Sequence, residues 1–265
     1  TRDELAQCFP RKLLHLQNNQ FLSTITPWST AYPKANEWAS AFNRATRRFG
    51  ISNSRQRLAH LLSHVIPETG NLAFVKEIQG ERARYSPYYG RGLIQLTWLE
   101  GYQKYGQFRQ FAKTITTGPY SALGWNPDDL IAMDNSGNHN RENCTDSACF
   151  YIFQRADMLL HMDRGLSIED AIEVSKDVNG RVSIENLNGL EVRLQSLIYL
   201  KDTLLDEPAP SREISITFTW RRSTIRTPQT GPDGQAVMHG TPPKPKLIYT
   251  RGEHTINVSI QRQKP

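Results

Sequence analysis

Along most of this chain apolar residues recur at helical spacing, and only near its end do they switch to alternation. Between Arg57 and Ile66, Leu58, Leu61, Leu62 and Val65 mark one buried face of a helix. Pro67, Gly70 and Asn71 then break it, leaving Glu68 to point out of its C-terminal end. Upstream, the pattern predicts a helix around Leu13, Leu14 and Leu16, a proline-interrupted segment at Pro27 and Pro33, and a helix from Glu37 to Phe49 that Gly50 ends. Ser52 or Ser54 caps the helix that follows. Downstream, helices are expected from Phe108 to Thr117, from Cys149 to His161, from a cap at Ser167 through Ile168, Ala171, Ile172 and Val174 to Asn179-Gly180, and from Leu190 to Leu205. The stretch from Gly118-Pro119 through Trp125-Asn126-Pro127 and Asp128-Asp129 reads as irregular, with signals for helix entry.

At Pro208-Ala209-Pro210 the pattern changes to period two, with short strands expected at Glu213 to Trp220, Lys246 to Thr250 and Thr255 to Ile260. The expected organisation is therefore a mainly α domain over residues 1–207, with its core at about 41–205, and a β-rich segment over 208–265. That segment is short for an independent fold, so it either packs on the larger domain or serves as a small binding module. There are no internal repeats.

Charge narrows the partners. The 265 residues carry a net charge of +6 with a pI near 9.3, which favours adsorption to an anionic polymer. Nucleic acid would feel the same field, but no helix-turn-helix, zinc-finger spacing or aromatic RNP-type motif accompanies it, so no nucleic-acid partner is expected. No run reaches membrane-spanning length. Thr1 stands where a start Met would be, and Arg2 to Arg11 has no secretory-signal pattern, so the chain reads as a fragment or processed product. Cys8, Cys144 and Cys149 cannot all pair within one chain; buried thiols and a Cys144–Cys149 bridge are both open. The run Asp134 to Asn140 alternates oxygen ligands like a calcium loop but lacks the required Gly and Glu, so it reads as a polar loop. No metal or cofactor is implied. Trp28 and Trp38 read as core residues rather than sugar platforms.

The candidate chemistry lies between Arg57 and Tyr105. Glu77 follows nine residues after Glu68, enough for the chain to turn and bring the second carboxylate across a groove from the first. Glycoside hydrolysis needs that pair, because one carboxylic acid must protonate the departing oxygen while a second carboxylate supports attack at the anomeric carbon. A gap of about 6.5–9.5 Å admits a water and gives inversion, while about 5–5.5 Å gives retention. Glu81 is a rival to Glu77, and otherwise a surface partner of Arg82 or Arg84 on a mobile loop from Gly80 to Ser86. Gln95 and Thr97 alternate with apolar neighbours after a glycine-rich turn, which puts them on one face. Arg91, between two glycines, is placed either to reach a carboxylate and tune its pKa or to make a purely structural salt bridge.

The pattern Glu68-Thr69-Gly70, a second Glu nine residues on, and then Tyr88-Tyr89-Gly90-Arg91-Gly92-Leu93-Ile94-Gln95-Leu96-Thr97 resembles glycoside hydrolase family 19, which contains chitinases and the related lysozyme-like endolysins of phages. The resemblance covers about Ala41 to Leu205, and Asn179-Gly180 and Asn188-Gly189-Leu190 with Arg193 resemble the elements that close the family's cleft from the other lobe. It departs at Pro67, where the family usually has His, and at Gly101, where it usually has Asn shortly before the Tyr that is here Tyr102.

What the resemblance implies is a mainly α, two-lobed, lysozyme-like hydrolase that cleaves β-1,4 bonds between amino sugars by single displacement. It makes Glu68 the general acid, Glu77 the general base and Thr97 a holder of the attacking water. Tyr89, Arg91, Gln95, Tyr102, Asn179 and Arg193 become substrate contacts. Glu68 must then be protonated and Glu77 ionised near neutral pH, which predicts a bell-shaped rate profile. Peptidoglycan glycan strands are the expected substrate, because GRGLIQLT is closer to endolysins than to the plant GRGPIQL pattern; chitin is the alternative, and an inactive wall-binding module a third. The same likeness extends to wall-degrading effectors of toxin-secretion systems. It would place a monomer in the bacterial periplasm or cell wall, delivered by secretion or phage lysis, with an immunity protein as partner if the chain is a toxin domain.

Overall fold

The computed structural model describes residues 1–17, 20–131, 141–187 and 189–205, and the backbone of 214–216, 222–228, 238–239, 244–245, 247–252 and 256–258; the side chains of 15–17, 20–24 and 185 are not described. The run Asp134 to Asn140 and the residue Asn188 lie outside the described residues. Contacts divide the chain into two units, one of residues 1–181 and 188–209 and one of 182–187 and 210–265.

The larger unit is mainly helical. It opens with α1 (Arg2–Gln7), started by a capping box between Thr1 and Glu4. The expected helix around Leu13, Leu14 and Leu16 is instead a hairpin of β1 (Lys12–Gln17) and β2 (Gln20–Ile25), in register from Lys12 opposite Ile25 to Gln17 opposite Gln20. Its outer edge is closed from far along the chain: the Gln195 amide accepts from Leu14 N at 2.9 Å and donates to Leu14 O at 2.7 Å. A side-chain amide thus replaces a third strand there, which removes the cost of an unpaired edge.

Helix α2 (Trp28–Arg48) starts nine residues before the expected Glu37 and runs through Pro33. Pro33 forfeits one backbone hydrogen bond in the second turn. Ala31, Ala35, Trp38, Phe42 and Ala45 nonetheless keep one continuous buried stripe, which outweighs that loss. Trp38 is core as expected, whereas Trp28 is exposed, with the Arg11 guanidinium 4.8 Å from its ring. Gly50 takes a left-handed conformation after α2, and Ser54 rather than Ser52 caps α3 (Arg55–Glu68) by accepting from Arg57 N.

Helix α4 (Leu99–Arg109) ends where a helix was expected to be running, because Gln110 turns left-handed. Phe111 is then free to pack edge-on against Trp125 at 4.8 Å, and Thr114 N and Ile115 N both bond Gly124 O. The expected Cys149 to His161 helix is two: α5 (Arg141–Phe153) and α6 (Ala156–Arg164), separated at Gln154 and Arg155. Helix α7 (Ile168–Asn179) has the expected Ser167 cap, a capping box with Asp170, and α8 (Leu190–Leu205) has the expected bounds. Buried polar residues on α8, Arg193, Gln195 and Ser196, were not anticipated. The central packing is α3 against α8, with α2 against α1 and α5, and α6 against α7.

All three cysteines are buried and unbridged. Burial pushes the Cys8 and Cys144 thiols up to about 12 and the Cys149 thiol higher still. In the smaller unit, β3 (Ile214–Ile216) pairs with β8 (Ile256–Val258), β4 (Arg222–Pro228) with β7 (Leu247–Gly252), and β5 (Met238–His239) with β6 (Lys244–Pro245), all antiparallel. No helix among the described residues is long and apolar enough to cross a membrane.

Candidate active site

Glu68 is the last residue of α3, and the residue after it ends the helix. Thr69 is buried; its hydroxyl donates to Val65 O at 2.6 Å and accepts from Leu72 N at 2.8 Å, while Gly70 adopts a φ of 54°. These bonds turn the chain outward directly after the carboxylate. Pro67 does not break the helix, since it lies within the final turn.

One Glu68 oxygen is bonded by Arg193 Nη2, from a guanidinium whose side chain is 4% exposed, while the Glu68 side chain is 34% exposed. Arg193 has no hydrogen-bond partner for Nε or Nη1 among the described residues. One turn before Glu68, His64 is fully enclosed: its Nδ1 is 2.8 Å from His60 O and its Nε2 is 3.3 Å from Ser175 Oγ. A carbonyl can only accept, so Nδ1 carries the proton and Nε2 accepts from the Ser175 hydroxyl. Burial, then the Arg193 charge, drive His64 well below the usual histidine range, so it is neutral. Ser175 O in turn accepts from Asn179 Nδ2 at 2.8 Å. Glu68 and Arg193 thus tie α3 to α8, while His64, Ser175 and Asn179 form a polar chain between α3 and α7 that feels the Arg193 charge.

Glu77 belongs to a second group. Its backbone N–H donates to Gly90 O at 2.9 Å, and Gly90 N–H returns a 2.8 Å bond to Glu77 Oε2. Tyr85 donates its hydroxyl to the other oxygen at 2.6 Å, so both carboxylate oxygens are held. Donation to Glu77 comes first and burial second in pushing the Tyr85 phenol up. Gly90 lets the chain segments approach closely here: a Cβ on it would stand 2.5 Å from Gln95 Oε1 and 3.2 Å from Glu77 Cβ, so the Gln95 side chain would have to shift. Gln95 therefore flanks Glu77 across Gly90. Its Nε2 donates to Gly92 O at 3.1 Å, and its buried Oε1 has no partner among the described residues.

The alternation expected at Gln95 and Thr97 is absent. Arg91 and Leu96 pair across a tight turn, Arg91 N to Leu96 O at 3.2 Å and the reverse at 2.8 Å, and Gln95 takes a φ of 54°. Gly92 permits the turn, with a φ of 77° and a Cβ position 2.7 Å from Ser147 Oγ. Thr97 follows the turn, half-buried, with no side-chain hydrogen bond among the described residues.

Arg91 and Tyr102 are placed for support. Arg91 is 0% exposed; its Nε pairs with Asp128 Oδ1 at 2.6 Å, and its other donors reach Pro87 O, Tyr89 O, Tyr102 Oη and Tyr120 Oη. Of the two readings of Arg91, the structure shows the salt bridge, to a carboxylate that anchors the loop rather than one at the candidate site. Tyr102 is equally buried and donates to Tyr89 O at 2.6 Å. Neither presents surface to a ligand. Tyr89 is also buried, its ring 3.8 Å from the Arg91 guanidinium. Glu81 pairs with Lys76 at 2.7 Å, not with Arg82 or Arg84. Residues 80–82 form a 3-10 turn, and the expected mobile loop is fastened through Tyr85.

No hydrogen bond or ion pair links the Glu68 group with the Glu77 group among the described residues. The arrangement is two separately held carboxylates, with no metal-binding cluster of His, Cys, Asp or Glu among the described residues. Sequence reasoning missed Tyr85, Asp128, Tyr120 and His64; of these only His64, one turn before Glu68, carried a usable signal.

No protein-family profile matches the chain. Over an alignment 101 residues long the chain is 32% identical to Endochitinase EP3 of Arabidopsis thaliana, covering 31% of this chain and 37% of that protein. The chain is similar to chitinases. That likeness agrees with the family resemblance carried by the Glu68-Thr69-Gly70 and Tyr88 to Thr97 motifs. Among solved structures, similar chains include the family GH19, class IV chitinase of Zea mays, at a TM-score of 0.38 and 17% identity over 65% of this chain and 76% of that one, and chitinase C of Streptomyces griseus HUT6037, at 0.43 and 16% over 77% and 91%. The chain thus matches little more than a third of its chitinase relative's length.

Proposed function

We propose that this chain is a glycoside hydrolase that cleaves β-1,4 bonds between amino sugars, with Glu68 as general acid and Glu77 as general base. The observation that carries the reading is the contrast between the two carboxylates. Glu77 has both oxygens held in place by Tyr85 and Gly90, as a base that must aim a water requires. Glu68 ends a helix with its carboxyl partly exposed and one oxygen bonded by Arg193, so that it stands where a leaving oxygen can reach it. Gln95 beside Glu77, Thr97 after the turn and Asn179 at the end of α7 complete the proposed site, in a catalytic domain of residues 1–207.

The preferred polymer is peptidoglycan. Supporting it are the net charge of +6, which suits an anionic wall, and the endolysin-like form of the glycine-rich motif. It would act in the periplasm or wall, as a monomer, and as a toxin domain it would meet an immunity protein. Chitin is the second reading, favoured by the likeness to an endochitinase.

Release of new reducing ends from purified peptidoglycan and from chitin oligomers tests the proposal. Wild type releases them, whereas Glu68→Gln and Glu77→Gln lose at least about a thousandfold in rate at unchanged fold, in keeping with removal of an essential acid or base. Full turnover in either variant removes its assigned role.

A further inference from the structure

The tyrosine that holds Glu77 also borders an exposed indole. The Tyr85 and Trp98 ring centroids are 5.0 Å apart, and Trp98 directly follows Thr97. Trp98 has φ 67° and ψ 143°, a conformation that a side-chain-bearing residue rarely adopts. Burial does not account for it, because Trp98 remains 49% exposed. The Arg84 guanidinium lies 5.4 Å from the indole centroid. Arg84 is exposed and has no carboxylate partner among the described residues, in contrast to Lys76 nearby, which Glu81 neutralises.

An exposed indole is what stacking on the apolar face of a pyranose needs, and a guanidinium beside it that has no carboxylate partner among the described residues is a ready partner for one. We propose that Arg84, Tyr85 and Trp98 form a subsite next to Glu77 for an N-acetylated amino sugar bearing a carboxylate substituent, of the lactyl-ether kind found in wall glycan. The sugar stacks on Trp98 and the carboxylate meets Arg84. Tyr85 links the subsite to the base, so that an occupied subsite bears on the residue that orients Glu77. Chitin has no carboxylate, so Arg84 becomes the residue that discriminates between the two polymers. This rests on the reading of Glu77 given above and sharpens it.

Calorimetric titration tests it in a Glu68→Gln background, where oligosaccharides stay intact, with chitotetraose and with the tetrasaccharide of alternating N-acetylglucosamine and N-acetylmuramic acid. The muramic tetrasaccharide is expected to bind about tenfold more tightly, Arg84→Gln to erase that preference with chitotetraose affinity nearly unchanged, and Trp98→Ala to weaken both about tenfold while Trp98→Phe restores much of the loss. An unchanged preference in Arg84→Gln, unchanged binding in Trp98→Ala, or no binding of either saccharide overturns the proposal. Binding without turnover by the wild-type chain would instead defeat the hydrolase reading and leave the subsite standing.

Discussion

Tyr85 donates a 2.6 Å hydrogen bond to Glu77 Oε1 from eight residues further along the chain, opposite the bond that Gly90 makes to Oε2. The carboxylate is therefore clamped between a side chain and the backbone of the glycine-rich turn. Tyr85→Phe keeps the ring against Trp98 and removes only the donor. The expected result is a fall in turnover of about ten- to a hundredfold with a stability change near 1 kcal/mol, read by product-release rates and urea unfolding. A rate within twofold of wild type would mean that the clamp does not position the base.

Arg193 brings a nearly buried charge to Glu68, and two of its donors lack partners among the described residues. Arg193→Met should thus lose activity much more than stability. Breaking a fully buried pair costs about 3–5 kcal/mol, and the partial exposure of Glu68 reduces that figure here. Melting temperature and turnover measured on the same preparation check this; a variant that unfolds but stays active per folded molecule contradicts it.

Arg91 presents the opposite case. Buried completely and bonded to Asp128, Tyr102, Tyr120 and two carbonyls, it holds the turn together. Arg91→Met should destabilise by about 3 kcal/mol or more, because those partners are left unsatisfied inside the protein. Asp128→Asn should cost much less, since Asn keeps an Oδ1 acceptor for Arg91 Nε and the position is 42% exposed to water. Equal costs for the two in denaturant unfolding would contradict this account.

Stability should fall on mild acidification. Burial lowers both His60 and His64, most strongly His64, so the unfolded chain takes up protons at a higher pH than the folded one. Where the unfolded state binds more protons, stability rises with pH. The contribution is complete above the unfolded value of about 6.5 and is lost below it, at up to about 1.4 kcal/mol per pH unit for each histidine. Urea unfolding between pH 7.5 and 5 reads the slope, and His64→Gln should flatten it. Carboxylates such as Asp163, lowered by its bond to Arg57, add a further loss only at lower pH.

Elements whose causes are local were legible in the sequence. Helix α8 began and ended where its apolar stripe did, α7 carried its own capping box at Ser167, and Glu68 fell at the end of α3 as the following Thr69-Gly70 turn requires. Features set by distant partners were not legible. Leu13 and Leu14 entered a strand whose edge is closed by Gln195, 181 positions from Leu14, and α2 passed through Pro33 because its buried face continued. In the candidate site, a motif nominates the two glutamates and Gln95, and the structure sets Gln95 beside Glu77 across Gly90. The partners that hold them, Tyr85 and Arg193, depend on how the chain returns, and so does the burial of Arg91 and Tyr102. Alternation misled at Gln95 and Thr97 because a glycine at 92 allowed a closed turn where an extended run was expected.

The most direct test of the account is mass spectrometry of borohydride-reduced products after purified peptidoglycan, and separately chitin oligomers, are incubated with the wild-type chain and with Glu68→Gln. The account predicts muropeptides with a reduced amino-sugar end from wild type and none from the variant, with reduced muramic acid marking a muramidase. Products from chitin alone would move the assignment to the chitinase reading. Intact glycan from both polymers would contradict the claim that Glu68 and Glu77 cleave glycosidic bonds.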